Sequence, residues 1–240
     1  MCKWNKKPTE IQKRGWQGHL LFLIGMMLSR MLLRLRYIGQ SNIPTGEKPY
    51  LVVANHQTMF DGLWIMGGIP QTQLKRFSCL AGSDLEKNFG LTGRVMFRVG
   101  KAIPIDREGN PIRGLILARR ALQKGSIVMI HPEGTRTYDG KIGEIKNGAA
   151  YLAKKTGVPV IPVYIDGGYE AFSRYMPVPR PIDWKHLRRK KLTVEYGLPI
   201  YPSDYDSVDT VMEAISRVLL EKEEEAFKNK ANACENPRRP

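Results

Sequence analysis

Cysteine is scarce in this chain: three in 240 residues, Cys2, Cys79 and Cys234, with no CxxC spacing. A disulfide framework or a structural zinc needs more sulfur at closer spacing, so a reducing, cytosolic compartment is the better fit. Acidic side chains are few beside basic ones, 23 Asp and Glu against 38 Lys and Arg, which leaves a net charge of +15. That surplus attracts nucleic acid, anionic lipid or phosphorylated small molecules without choosing among them. No apolar run reaches the roughly 20 residues that a spanning helix needs. The longest, Leu20 to Leu28, is closed by Ser29 and Arg30, and no small-residue cleavage site follows it as a signal peptide would require. Internal repeats are absent, as are RRM, KH and helix-turn-helix signatures and any HExxH spacing. A basic nucleic-acid-binding protein and a metal site therefore lack specific support.

What remains is a composition able to build a core, 42% hydrophobic and 9% aromatic. Three stretches are expected. Residues 1–36 form a basic and apolar segment, with Lys3, Lys6, Lys7, Lys13 and Arg14 before the apolar run and Arg30, Arg34 and Arg36 after it. A helix with one greasy side and basic flanks suits a bilayer interface, where arginines snorkel to anionic headgroups. The expected location is peripheral or monotopic, on the cytoplasmic face of the cell membrane. Residues 37–228 form an α/β domain that closes on a helix over 207–227, where Val208, Met212, Ile215 and Leu219 recur at helical spacing. Residues 229–240 read as a disordered tail.

Within the domain, short apolar runs alternate with helical patterns. Strands are predicted at 50–54, 76–80, 102–105, 126–130, 158–165 and 192–196, with helices near 59–67, 85–99, 111–124 and 147–156. Such alternation gives a mixed, largely parallel sheet flanked by helices. Pro159 and Pro162 place the 158–165 strand at an edge or make it irregular.

Polar clusters follow three of these strands, where open α/β sheets place ligands. The first is Asn55-His56-Gln57-Thr58-Met59-Phe60-Asp61. On one regular helix His56 and Asp61 would not meet. If His56 leaves the strand in a tight turn and Asp61 opens the next helix, Asp61 can hold one imidazole nitrogen while the other takes a proton from a hydroxyl. The substrate then supplies the nucleophile that a triad would carry itself. The second cluster is His131-Pro132-Glu133-Gly134-Thr135-Arg136. Gly134 lets backbone approach a ligand, Thr135 adds a hydroxyl and Arg136 offers a phosphate fork. The third, Ile103 to Arg107, makes Arg107 a second phosphate candidate. A structural His–Asp hydrogen bond, an ordinary turn at Arg136 and a metal held by His56, Asp61, His131 and Glu133 are the competing readings. The last has no recognisable ligand spacing.

Asn55 to Asp61 resembles the NHxxxxD box of the glycerolipid acyltransferase family, which includes bacterial 1-acylglycerol-3-phosphate acyltransferases. Gly100 to Arg107 (GKAIPIDR), His131 to Arg136 (HPEGTR) and Val158 to Ile165 resemble its second, third and fourth blocks, in order, across residues 36–200. His131 stands where an aromatic, usually Phe, is common. The resemblance implies acyl transfer from acyl-CoA or acyl-carrier protein to the free hydroxyl of 1-acylglycerol-3-phosphate, giving phosphatidic acid. It implies His56 as general base and Asp61 as its partner, no cofactor and no covalent acyl-enzyme. Arg107, Glu133, Gly134, Thr135 and Arg136 would form the acceptor's phosphate-side pocket. The partners it implies are an anionic membrane surface, the lysophospholipid and the thioester donor. One departure stands out: Gly82, in Ala81-Gly82-Ser83-Asp84-Leu85, replaces a lysine that many relatives direct at the acceptor phosphate. Lys75 or Lys101 would have to compensate, or the acceptor is another lysophospholipid or a lyso-aminolipid.

Overall fold

Leu51, Val52, Val53 and Ala54 are all fully buried. Successive strand side chains point to opposite faces, so an unbroken apolar run is what a strand covered on both faces requires. In a computed structural model of the chain, which describes residues 15–83, 85–106 and 110–235, this strand lies at the centre of one sheet. The chain runs α1 (Gly15–Leu32), β1 (Arg34–Ile38), β2 (Leu51–Ala54), α2 (Asp61–Gly68), β3 (Phe77–Gly82) and α3 (Leu85–Val99). It continues through β4 (Ile103–Ile105), α4 (Ile112–Gln123), β5 (Ile127–Ile130), α5 (Gly148–Thr156) and β6 (Val160–Asp166). It ends with α6 (Gly168–Phe172), β7 (Ile182–Asp183), β8 (Arg188–Arg189), β9 (Lys191–Tyr196) and α7 (Val208–Glu235).

The seven-stranded order is β1-β9-β6-β2-β5-β3-β4. The strands from β6 to β4 are mutually parallel, whereas β1 and β9 pair parallel with each other and β9 runs antiparallel to β6. Val52, Ala54 and Met129 face a core shared with α1, α2 and α3, and Leu51, Val53 and Val128 face one shared with α4, α5 and α7. The expected mixed, largely parallel sheet with helices on both faces is therefore present.

Three expectations need correction. The proline-bearing strand β6 is not at an edge but internal, between β9 and β2, and it is the other alternative, an irregular strand, that holds. Val160 exchanges hydrogen bonds with Ile200, and Val163 pairs with Tyr196, so β9's side of the ladder gains one residue between those pairs. Pro162 falls at that bulge: its carbonyl accepts from Gly197, and its missing N–H would have pointed to the same irregular edge. Next, β1 straddles the expected 36/37 boundary, because Arg34 and Arg36 belong to an edge strand rather than a helix flank. Last, α7 runs to Glu235, through residues expected to be tail, and Lys230 ties it to Asp166 and Glu170 at 2.7 Å each.

Nor is α1 amphipathic in the usual sense. Phe22 and Met26 enter the core. The opposite stripe, Trp16, Leu20, Leu23, Ile24, Met27 and Met31, is also apolar and between 41% and 74% exposed. No described helix is long and apolar enough to cross a membrane.

Candidate active site

The site forms where β2 and its neighbour β5 end. After Ala54 the chain turns sharply through residues 55–60 and enters α2 at Asp61. Every polar residue in that turn is spent on fixing it. Asn55 clips β6 by accepting from Ile165 N–H at 2.7 Å and donating to its carbonyl at 3.0 Å. Gln57 Oε1 accepts the Gly168 and Tyr169 amides at the start of α6. Thr58 Oγ1 donates to Asp61 Oδ1 at 2.9 Å and accepts from Phe60 N–H.

These contacts bring His56 and Asp61 together, with Nδ1 2.9 Å from Oδ2. Asp61 is completely buried and also accepts the amides of Gln57 and Thr58. Burial pushes its carboxyl up to about 6, against the pull of His131 and of the Thr58 and Gln57 donors. It is therefore an anion at neutral pH, and the proton of the pair sits on Nδ1. Proton exchange with a substrate then falls to Nε2.

A second imidazole lies parallel to the first. His131 stacks on His56 with ring centroids 3.9 Å apart and planes 5° from parallel. Its Nδ1 donates to the Ala54 carbonyl at 2.9 Å, which fixes its tautomer, since a carbonyl can only accept. Burial lowers its pKa to about 3, with His56 adding to the effect. The ring is thus a neutral plate that sets the plane of His56. Such a stack is worth ~0.5–1.5 kcal/mol. His131→Ala should lower kcat by about 2–10-fold, and His131→Phe should recover most of it. Steady-state rates of the two variants check this.

His56, Asp61 and His131 have ligating atoms within 4.8 Å of one another, the geometry of a possible metal set. The donors are otherwise engaged: Asp61 accepts from three groups besides His56, the Gln57 and Thr58 amides and the Thr58 hydroxyl, and Nδ1 of each imidazole faces its own oxygen. The arrangement suits proton transfer better than ion binding.

The residues assigned to the phosphate side divide. Gly134, Thr135 and Arg136 line a cavity of about 630 Å³ that His56 and His131 also line. Gly134 makes the turn there at φ +72°. Arg107 lies outside the described residues. Glu133 points elsewhere: Oε1 accepts the His56 amide at 2.7 Å and Oε2 accepts the Gly143 amide at 2.8 Å. It is a buried clamp on the His56 and Gly143 backbone, with both carboxyl oxygens already engaged. Lys101 is also misplaced. It precedes β4, at the opposite end of the parallel strands from His56, and donates to the Lys75 carbonyl at 3.3 Å. Neither lysine replaces the cation missing at Gly82.

Two cations that the sequence reading missed do line the cavity, Lys146 and Arg174. Lys146 sits in the loop before α5, its amide donating to the Pro132 carbonyl, and a Cβ placed on Gly134 would come within 3.6 Å of its Nζ. Arg174 donates to the Arg136 carbonyl at 2.9 Å and lies over the Tyr138 ring. No spacing rule in the sequence marks either; the loops meet only because β5 and β2 are neighbours and α6 folds back over them. Apolar side chains line the cavity as well, Leu63 and Met66 from α2, Met96 and Val99 from α3, and Met129 from β5.

A family profile described as Acyltransferase matches residues 34–166. A chloroplastic 1-acyl-sn-glycerol-3-phosphate acyltransferase of Brassica napus is 32% identical over 132 residues, 54% of this chain and 36% of that protein. The chain thus spans about a third of the length of such plant relatives. A 1-acyl-sn-glycerol-3-phosphate acyltransferase of Streptococcus pneumoniae is 26% identical over 232 residues, covering 92% of this chain and 78% of that one. The crystal structure of the 1-acyl-sn-glycerophosphate (LPA) acyltransferase PlsC from Thermotoga maritima superposes with a TM-score of 0.71 at 26% identity, covering 88% of this chain and 80% of that one.

Proposed function

Because this chain belongs to the acyltransferase family, we propose that it moves a fatty acyl group from a thioester onto the free hydroxyl of 1-acylglycerol-3-phosphate, giving phosphatidic acid. The observation that carries the reading is one cavity lined by His56, itself paired with Asp61, by the cations Arg136, Lys146 and Arg174, and by apolar side chains of α2, α3 and β5. Nε2 of His56 takes the hydroxyl proton as the oxygen attacks the thioester carbonyl. The C–S bond then breaks, and the thiolate leaves as the imidazolium returns the proton. Arg136, Lys146 and Arg174 receive the acceptor phosphate, and the apolar side chains hold acyl chain.

The apolar lining lies close beneath α1. A Cβ on Gly25 would be 3.1 Å from Leu63, which lines the cavity. The exposed apolar stripe of α1 would rest in the interfacial layer of a bilayer, where both the lysolipid and its product reside.

Purified protein given a fatty acyl thioester and 1-acylglycerol-3-phosphate should form phosphatidic acid, read by mass spectrometry. Release of free fatty acid alone, or transfer indifferent to the acceptor phosphate across a lysolipid panel, would sink the assignment. The second outcome would favour a different lysolipid, as the glycine at position 82 suggests. If Lys146 takes over from the missing lysine, Lys146→Ala should raise the KM for the phosphate-bearing acceptor about tenfold while kcat changes little, as loss of one charge-assisted hydrogen bond predicts.

A further inference from the structure

The β7–β8 hairpin is, among the described residues, sheet structure that takes no part in the seven-stranded sheet. Its tip holds two large apolar side chains in water, Trp184 at 75% exposure and Leu187 at 81%. Leu187 has φ +47°, a left-handed backbone that branched side chains seldom adopt. Packing does not explain the strain, because so much of the side chain is exposed. Around the tip stand Arg180, Lys185, Arg188, Arg189, Lys190 and Lys191, with Asp183 the one acidic residue of the segment and itself held by His186 and Arg188.

The hairpin is fastened to the end of α1. Arg189 donates to the carbonyls of Arg30 and Met31 at 2.8 and 3.2 Å, and the Lys190 carbonyl accepts from Arg34. A strongly basic, aromatic-tipped loop is thereby tied to the last turn of the exposed apolar stripe, where Met31 is 63% exposed.

We propose that this hairpin is a second membrane contact, which seats Trp184 and Leu187 in the interfacial layer of an anionic bilayer while its cations meet the headgroups. Trp has an apolar body and one polar N–H, the combination that favours the headgroup boundary. Lysines and arginines near an anionic leaflet each add attraction that salt screens. One helix lying on a bilayer leaves the domain free to roll about the helix axis. A second contact fixes that rotation, and with it the direction in which the catalytic cavity opens. The inference extends the bilayer reading of α1, and its test separates the two.

The experiment uses the full chain, and its binding readouts need no turnover. In a Trp4→Phe, Trp16→Phe background only Trp64, 3% exposed, and Trp184 remain. Vesicles of phosphatidylcholine with brominated phosphatidylglycerol should quench Trp184 emission, and high salt should reverse the effect. In the parent background, Trp184→Ala with Leu187→Ala should weaken vesicle binding about tenfold or more. The same double variant should keep its rate on a monomeric short-chain lysophosphatidate, which shows that the fold and site are intact. Unquenched Trp184 while vesicle binding persists would overturn the proposal and leave α1 as the contact. Equal binding by the double variant would overturn it too, as would equal affinity for vesicles of phosphatidylcholine alone. Displacement from vesicles by an oligonucleotide, acting through these same residues, would make the hairpin a polyanion site instead.

Discussion

His56→Ala is expected to lower kcat by on the order of 10²–10⁴-fold while leaving the fold and the KM for the acceptor nearly unchanged. The imidazole is partly exposed to the cavity, and Nδ1 is committed to Asp61, so the side chain contributes little to the core that truncation would remove. In the proposed reaction its loss deprives the attacking hydroxyl of a base and the departing thiolate of an acid. A second signature belongs to the pair and not to His56 alone. Burial lifts the Asp61 carboxyl to about 6, so acidification through that region neutralises the anion that orients and supports the imidazole. The kcat of the parent protein should therefore fall as pH drops through about 6. Asp61→Asn should be slow at every pH and lose the part of that limb that the carboxyl supplies, because an amide does not titrate. A pH–rate profile with both variants decides the matter: an undiminished rate in His56→Ala would remove this residue from the chemistry.

The His56–Asp61 pair was legible because the two side chains are five residues apart. The strand, the tight turn and a carboxylate opening the next helix lie within a dozen residues, whereas the clasps on Ile165, Glu133 and Gly168 that hold the turn left no local mark. The α/β alternation was legible for a similar reason, since each buried strand announces itself as an apolar run. What depended on distant neighbours was not. Lys101 and Gly82 are close to the same strand pair in sequence order, yet Lys101 precedes β4 whereas Gly82 ends β3, so the two stand at opposite ends of the sheet. Assigning the lysine to the phosphate ignored strand polarity. Pro162 left an edge and an irregular strand both open because a bulge on the partner strand cannot be seen from the proline itself. Arg34 and Arg36 looked like a helix flank because an edge strand beside β9, more than 150 residues later, leaves no local mark. Lys146 and Arg174 reach the cavity from loops that only the sheet order brings together.

Glu133 is the residue for which the sequence and the structure assign opposite tasks, and its substitution separates them. If Glu133 belonged to the acceptor pocket, Glu133→Ala would change the KM for the phosphate-bearing acceptor. As a clamp it accepts two backbone amides, those of His56 and Gly143, in a setting shielded from water. Truncation orphans both donors, and a buried unsatisfied group costs ~1–3 kcal/mol, so a loss of about 2–6 kcal/mol in unfolding free energy is expected. With the His56 amide released, the imidazole loses its register against Asp61 and His131, so kcat should fall while KM holds within about twofold.

Acid titration gives an independent check on the same side chain. Burial raises the Glu133 pKa from 4.5 to about 7, against the pull of the Gly143 and His56 amides. A carboxyl raised in the folded state binds its proton more tightly there than in the unfolded chain. Its contribution to stability is full below about 4.5 and is lost as pH rises through about 7. The unfolding free energy of the parent protein should accordingly carry a declining term across that window, and Glu133→Ala should lack it. Chemical denaturation of both proteins at several pH values, beside the KM measurement, tests the clamp. A shifted KM with unchanged stability would return Glu133 to the substrate.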